Sequence, residues 1–514
     1  MANRAVQIAP AATLGLAIAV LILGSAAMVA LRAERWVLNP SDWSALRFTV
    51  LQAGLSAGFS TVLAIPVARA LHRRRFWGRG GLIRLMAAPF VLQVVVAVLG
   101  LLAVLGRGGP INVGLAALCL PPISIFGLHG VVLAHIFLNL PLATRMFLHG
   151  WQAIPTERFR LAASLGMPQT ALFWHLEWPM LRGLLPGIAA VIFLVCLTSF
   201  AVALTLGGGP KASTIELAIY QSLRFEFDLG RAAFLATLQF GLCAAVTLFS
   251  LRLTLPQAFG AGLERDLFLP PVSGWRRFVD WGAVAAAALF LLTPLGAVVL
   301  AGLPGLADLP ATVWPAAARS VAIALASALL ATTVSLTLAT ATVRWQNGWL
   351  DLAAMLPLSA SSLVLGTGLF LILQPFATPE SLSVPITILV NTTLTLPFLF
   401  RLILPEACQL HADYDRLTQS LGLTPLAQLR FVTLPRLARP LGFGAGLAAA
   451  LSMGDLGVIA LFAGDRGATL PLVVQRLMGA YRMDAAASAA LILVTLSFTL
   501  FWAFDRIGNR YAGA

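Results

Sequence analysis

Charge is scarce in this sequence. Only 11% of its 514 residues are Asp, Glu, Lys or Arg, against about 25% in a soluble domain. With 59% apolar residues and a mean hydropathy of +0.90, that shortage excludes a soluble enzyme. It also excludes disorder, which needs low hydrophobicity. Cysteine is as sparse: Cys119, Cys196, Cys243 and Cys408 stand apart with no C-x-x-C pair, so neither a disulfide framework nor a zinc site is supported. They read as small buried hydrophobes. Lysine occurs once, as Lys211, and it follows Pro210 rather than a glycine. There is no G-x-x-x-x-G-K-[ST] phosphate loop, so the chain is not expected to hydrolyse ATP itself. Gly207-Gly208-Gly209 reads as the turn that ends a span. No His-Glu-x-x-His, paired carboxylates or nucleophile–base pattern points to an intramembrane enzyme, and no cofactor or metal is expected.

What is present is a series of twelve apolar runs: 11–31, 46–70, 85–105, 127–148, 184–206, 232–253, 279–302, 317–343, 352–374, 384–404, 441–463 and 486–505. About 20 apolar residues suffice to cross a bilayer as a helix. The fold expected is therefore all-α, a polytopic membrane protein of about twelve transmembrane helices. The first run is preceded only by Arg4 and is longer than the roughly 7–15 residues of a signal peptide core, so it reads as a retained anchor. The net charge of +14 comes from 34 Lys and Arg against 20 Asp and Glu. The basic residues fall mostly between the apolar runs, which is the positive-inside pattern rather than a nucleic-acid surface. With the N-terminus inside, 23 of the 34 basic residues lie on the cytoplasmic side, Arg69, Arg73, Arg74, Arg75, Arg79 and Arg84 among them. Both termini are then cytoplasmic. Tryptophans near run ends, such as Trp36, Trp77, Trp281 and Trp345, suit an interfacial belt in contact with lipid.

The chain repeats itself at a shift of 256 residues. Leu140-Pro141 matches Leu396-Pro397, Ser164-Leu165-Gly166 matches Ser420-Leu421-Gly422, and Pro179 matches Pro435. Further upstream the shift drifts to about 271, with Thr49 and Ser56 matching Ser320 and Ser327. Six spans per half give two parallel six-helix halves, related by an axis along the membrane normal. The expected division is 1–253 for the first half, with a cytoplasmic loop at 149–182, and 279–514 for the second, with a loop at 405–439. Between them lies a Pro- and Gly-rich linker, 254–278.

Each half carries its strongest local signal between its fourth and fifth spans. The pattern is helix, stop, helix. Thr156 and Asp413 suit N-caps, Gly166 and Gly422 suit a left-handed stop, and Pro168 and Pro425 suit the start of a new helix, the latter after the N-cap Thr424. Two short helices at a fixed angle should protrude on the arginine-rich side.

These loops resemble the cytoplasmic EAA motif of binding-protein-dependent ABC importer permeases. In that motif a glycine follows Glu-Ala-Ala and a proline stands thirteen residues after the glycine; Gly166/Pro179 and Gly422/Pro435 keep the spacing. The Glu-Ala-Ala part is degenerate, Arg160-Leu161-Ala162 in one copy and Arg416-Leu417-Thr418 in the other. Further segments resemble the thiamine ABC transporter permeases: Val67 to Phe76, Leu133-Ala134-His135 with Asn139-Leu140-Pro141, Leu206 to Pro210 with Thr214 to Gln221, and Ser452 to Val458. The resemblance implies a type I ABC importer permease of the bacterial inner membrane. Its substrate would be thiamine and its phosphates, delivered by a periplasmic thiamine-binding protein. A separate ATP-binding cassette ATPase, as a homodimer, would dock on Glu157, Arg160, Ala162, Ala163, Gly166 and Pro179 of one loop and on Asp413, Arg416, Gly422 and Pro435 of the other.

Two other readings remain open. Fused ferric-iron ABC permeases share the loops and the architecture. An ion-coupled secondary transporter would need intramembrane carboxylates or histidines, and Asp455 is the clear carboxylate; His135 reads as a hydrogen-bonded core residue. Asp455 stands between two glycines in Gly454-Asp455-Leu456-Gly457. Either it caps a helix broken at that point, or its charge faces the translocation path of a cation.

Overall fold

The computed structural model describes residues 2–33, 36–86, 92–209, 212–250, 274–345, 348–464 and 467–511. Lys211 and most of the expected linker 254–278 lie outside them. Among the described residues the chain is all-helical. Eleven helices are long and apolar enough to cross a membrane. Gly348–Ser359 and Ser362–Leu373, bent by 95° at their junction, make a twelfth span when taken together. Helix is what an apolar run must adopt in lipid, because it satisfies every backbone N–H and C=O within the segment. Leu289, Leu300 and Leu329 remain exposed on such helices, as lipid-facing leucines should.

Several span boundaries differ from the sequence expectation. The expected run 352–374 is the bent pair, and the hydropathy is continuous across the bend. The run 85–105 likewise does not form one helix: Arg79–Leu85 meets its start, 87–91 lie outside the described residues, and the span is Val94–Ala117, built from the arms Val94–Leu105 and Pro110–Ala117. The run 184–206 is also divided, into Trp178–Leu197 and Ala201–Leu206. The run 384–404 is the middle of one helix, Pro379–Ser420, which carries Pro385, Pro397 and Pro405 inside it. Proline reads as a helix end in water, but a span tolerates it where neighbours re-satisfy the freed carbonyls. Cys196 and Cys243 are buried as expected, whereas Cys119 and Cys408 are exposed. That corrects the reading of all four as core residues.

Close helix crossings rely on small residues, since lipid gives no hydrophobic drive for helix association. The first span, within Ala2–Arg32, crosses Ser362–Leu373 at Gly368, where an added Cβ would stand 2.7 Å from the Ser25 carbonyl oxygen. The Arg276–Gly302 helix crosses Val94–Leu105 at Gly100, where a Cβ would stand 2.6 Å from the Pro294 carbonyl oxygen. The two crossings are reciprocal. The opening helix of each six-span set lies on the third span of the other set. On the loop side, Arg74 Nη2 pairs with Asp280 Oδ2 at 2.8 Å, and Phe76 meets Trp281 with ring centroids 5.3 Å apart. The two sets of spans are thus joined by packing within the membrane and by an ion pair at its edge.

Candidate functional site

The two loops close in the same way. In the first, Thr156–Ser164 is helical and Gly166 takes φ +63°. Gly166 N–H donates to the Ala163 carbonyl at 3.1 Å, and Met167 N–H donates to the Ala162 carbonyl at 3.0 Å. In the second, Gly422 takes φ +59°, Gly422 N–H donates to Gln419 at 3.1 Å, and Leu423 N–H donates to Thr418 at 3.1 Å. This paired 5→2 and 6→1 bonding is the Schellman closure, which needs the left-handed residue that glycine supplies. After each stop a new helix starts, at Gln169 and at Pro425, where Thr424 Oγ1 accepts from Ala427 N–H at 3.3 Å. Both then pass through a five-residue π segment, Phe173–Glu177 and Leu429–Thr433, into the fifth and eleventh spans. Pro179 and Pro435 stand just beyond the π segments, inside the spans Gln169–Leu197 and Pro425–Phe462, and a π turn is where a helix locally departs from the regular bonding that proline cannot join.

Two N-cap expectations are corrected. Pro155 rather than Thr156 holds the N-cap position of the first loop helix, and the Thr156 hydroxyl turns to Glu157 Oε1 at 3.3 Å. Asp413 caps nothing: it lies inside Pro379–Ser420, which continues from the tenth span straight into the second loop. No stop signal intervenes between Glu406 and Ser420. The first arm is therefore a separate short helix in one loop and the end of a long one in the other.

The loop helices present apolar side chains to solvent. Leu161 and Leu165 are 60% and 68% exposed, and their counterparts Leu417 and Leu421 are 51% and 64% exposed. Spaced four apart, each pair lies on one helix face. Glu157, Arg160, Ala163 and Arg416 are exposed beside them. On the inner side Phe159 and Ala162 are buried, as is Thr418 in the second loop. Phe159 packs on His72 with centroids 6.0 Å apart.

The first loop is tied down by a carboxylate. Glu177, 1% exposed, pairs with Arg69 Nε at 2.7 Å through one oxygen and with Arg73 Nη2 at 2.8 Å through the other. Arg73 also donates to Gln169 Oε1 at 3.3 Å. The second loop has Thr433 in the place of Glu177. There a cavity of about 160 Å³ opens among Thr340, Arg344, His411, Asp415 and Thr433. One loop is clamped by charge; its counterpart rests on a void.

Deeper in the chain, Asp455 lies where a helix breaks. Leu434–Met453 ends and Gly457–Phe462 begins, and Asp455 Oδ1 accepts from Gly457 N–H at 3.3 Å. The break falls where the two glycines place it. The position matching Asp455 in the first half is Ser199, whose hydroxyl lies 2.8 Å from His135 Nε2; Ser56 stands 3.3 Å from the other ring nitrogen. His135 is thus a hydrogen-bonded core histidine, as expected. At the membrane face opposite the loops a larger cavity, about 630 Å³, is lined by Arg224, Phe227, Phe370, Gln374, Glu380 and Phe462.

Comparison with known proteins places this arrangement. The profile of the family described as "Binding-protein-dependent transport system inner membrane component" matches residues 331–513, a stretch that contains Asp413, Gly422, Pro435 and Asp455. The thiamine transport system permease protein ThiP of Salmonella typhimurium is 40% identical over 483 residues, 91% of this chain and 90% of the relative. ThiP of Escherichia coli is 39% identical over 505 residues, 93% and 92% of the two chains. ThiP of Brucella abortus is 38% identical over 488 residues, 90% and 87%. The chain belongs to the family of thiamine transport system permease proteins.

For a permease of this family, the paired loops and the broken helix were legible as candidate sites, while Glu177 and Glu216 were missed. The signal for Glu177 was the Arg69/Arg73 pair. Two arginines four apart on one helix face need an acceptor once that face is covered. Glu216 is flanked by Ile215, Leu217, Ala218 and Ile219, and a carboxylate inside such a run is buried whenever the run is.

Proposed function

We propose that this permease carries thiamine and its phosphates inward across the bacterial inner membrane as the membrane subunit of an ATP-binding cassette importer. The observation that carries the reading is the end-to-end similarity, 38–40% identity over about nine-tenths of the chain, to permeases named for thiamine transport. A partial match would support only the importer class. The chain has no phosphate loop, so ATP hydrolysis belongs to a separate ATPase subunit acting as a homodimer. It docks on the two loops, where Leu161, Leu165, Leu417 and Leu421 offer apolar contacts and Arg160 and Arg416 offer charge. Two loops of like shape suit two identical ATPase subunits. A periplasmic thiamine-binding protein delivers substrate to the opposite face, over the 630 Å³ cavity.

The direct genetic test uses a strain unable to make thiamine. Deleting the gene for this chain should abolish growth on trace external thiamine. Unchanged growth together with a ferric-uptake defect would move the substrate to iron.

In this reading both termini and both loops are cytoplasmic, supported by the basic-residue asymmetry. The exposed Arg75 is then on the loop side, and the exposed Arg107, beyond the arm Val94–Leu105, is towards the opposite face. In a background without native cysteines, an impermeant thiol reagent applied to intact spheroplasts should label Arg107→Cys and spare Arg75→Cys. Labelling of Arg75→Cys alone would invert the topology and remove the loops from the cytoplasm.

A further inference from the structure

Glu216 is 0% exposed. It stands in the first turn of the short helix Ile215–Gln221, and neither of its carboxylate oxygens has a hydrogen-bond partner. Its nearest hydrogen-bonding side chains are Ser361 and Gln239; Ser361 Oγ accepts from Val364 N–H and keeps its own O–H to donate, while Gln239 Nε2 donates to the Leu197 carbonyl. Asp455 Oδ1 accepts from Gly457 N–H, and the Val458 and Ile459 N–H groups also face the carboxylate, while its Oδ2 is buried with no hydrogen bond of ordinary geometry. Among the described residues neither carboxylate forms an ion pair. A buried charge without a partner is costly and within a membrane marks a functional position by default.

The two carboxylates come from different halves and meet the same structural feature. Ser361 caps Ser362–Leu373, the outer arm of the bent span. Ser361 lies on the Glu216 side. Its neighbour Ser362 lies against Gly457, where an added Cβ would stand 2.2 Å from the Ser362 hydroxyl and 3.8 Å from Asp455 Oδ1. The N-terminus of that helix thus sits between the two acids. The matching arm of the first half arrives at the same point. Gln93, at the N-cap of Val94–Leu105, packs on Gly454, where a Cβ would stand 2.8 Å from Gln93 Cγ. Helix N-termini favour the ionised form of a nearby carboxylate. Seven or eight residues beyond Glu216, Ser362 and Asp455 come Leu223, Phe370 and Phe462, all of which line the 630 Å³ cavity. At 1.5 Å per residue that is roughly 10–12 Å, so three elements lead from the two acids to one opening.

We propose that Glu216 and Asp455 together form a binding site for an organic monocation on the translocation path, one acid from each half, either side of Ser361–Ser362. The ligand class follows from the donors. Two carboxylates with hydroxyl and amide neighbours, their excess negative charge offset by the helix N-terminus between them, attract a diffuse positive charge. Among the described residues no group of three or more His, Cys, Asp or Glu side chains is placed to hold a metal ion. The cation is the thiazolium of thiamine, which rests on the function proposed above; the aromatic cavity outside the site suits the same flat, charged ring.

The test uses the complete importer, permease with ATPase and binding protein, measured for thiamine uptake and for ATPase activity stimulated by loaded binding protein. Glu216→Gln and Asp455→Asn keep shape and lose charge. Each should cut initial uptake about tenfold while stimulated ATPase stays within about twofold of wild type, and Glu216→Asp should recover most of the uptake. Wild-type uptake by Glu216→Gln, joint loss of uptake and ATPase in the amide variants, or a Glu216→Asp as defective as Glu216→Gln would each overturn the site. So would wild-type uptake that stops when ion gradients are collapsed with ATP intact, since the acids would then serve a coupling ion. A wild-type complex that moves no thiamine at all would instead overturn the proposed function.

Discussion

Glu177→Ala should reduce thiamine uptake at least about tenfold while leaving the amount of membrane-inserted protein near normal. The carboxylate is buried and engages both Arg69 and Arg73. Its removal leaves two guanidinium groups facing each other without an anion, Arg73 with a side chain only 5% exposed. Breaking a buried pair from one side costs about 3–5 kcal/mol, and each 1.4 kcal/mol is about a factor of ten in an equilibrium. The cost falls locally, because the clamp ties the second arm of the loop, Gln169 through Glu177, to the end of the second span. On the proposed function, a loop that detaches from the membrane body cannot pass ATPase motion to the spans. Trypsin should then cut at Arg158 and Arg160 faster in inside-out vesicles. Thr433→Ala, at the matching place in the second loop, should change uptake by less than about twofold, since no charge is orphaned there. Near-normal uptake and unchanged trypsin cutting in Glu177→Ala would show that the clamp is not what holds the loop.

The same asymmetry explains which parts of the site could be read from sequence. Gly166 and Gly422 were legible because a left-handed stop followed by a helix start has few other sequences, and both take the expected φ. The break at Asp455 was legible because Gly454 and Gly457 flank the one clear carboxylate of an apolar run. The bend between Ser359 and Ser362 was not. Leu356-Pro357-Leu358-Ser359-Ala360 is apolar enough to pass for span interior, yet the helix axis turns by 95° there. Asp413 misled for the opposite reason. It is a good capping residue, but capping needs a free helix end, and Pro379–Ser420 has none there. The Glu177 clamp depends on a contact across 104 positions of the chain, and Glu216 and Asp455 stand 239 positions apart in sequence, so no local pattern encodes either.

The fold and the proposed function meet at one point. On the proposed function, apolar helices and paired loops make a conduit that borrows its energy from a separate ATPase, and the borrowing is what separates an ABC permease from an ion-coupled carrier. The most direct test is reconstitution into liposomes with the ATPase and the thiamine-binding protein. Thiamine should accumulate only when ATP and the binding protein are both supplied on their proper sides. Omission of either should bring accumulation to background, and the purified chain alone should hydrolyse no ATP. Accumulation by the chain alone, driven by a proton or sodium gradient without ATP, would contradict the account.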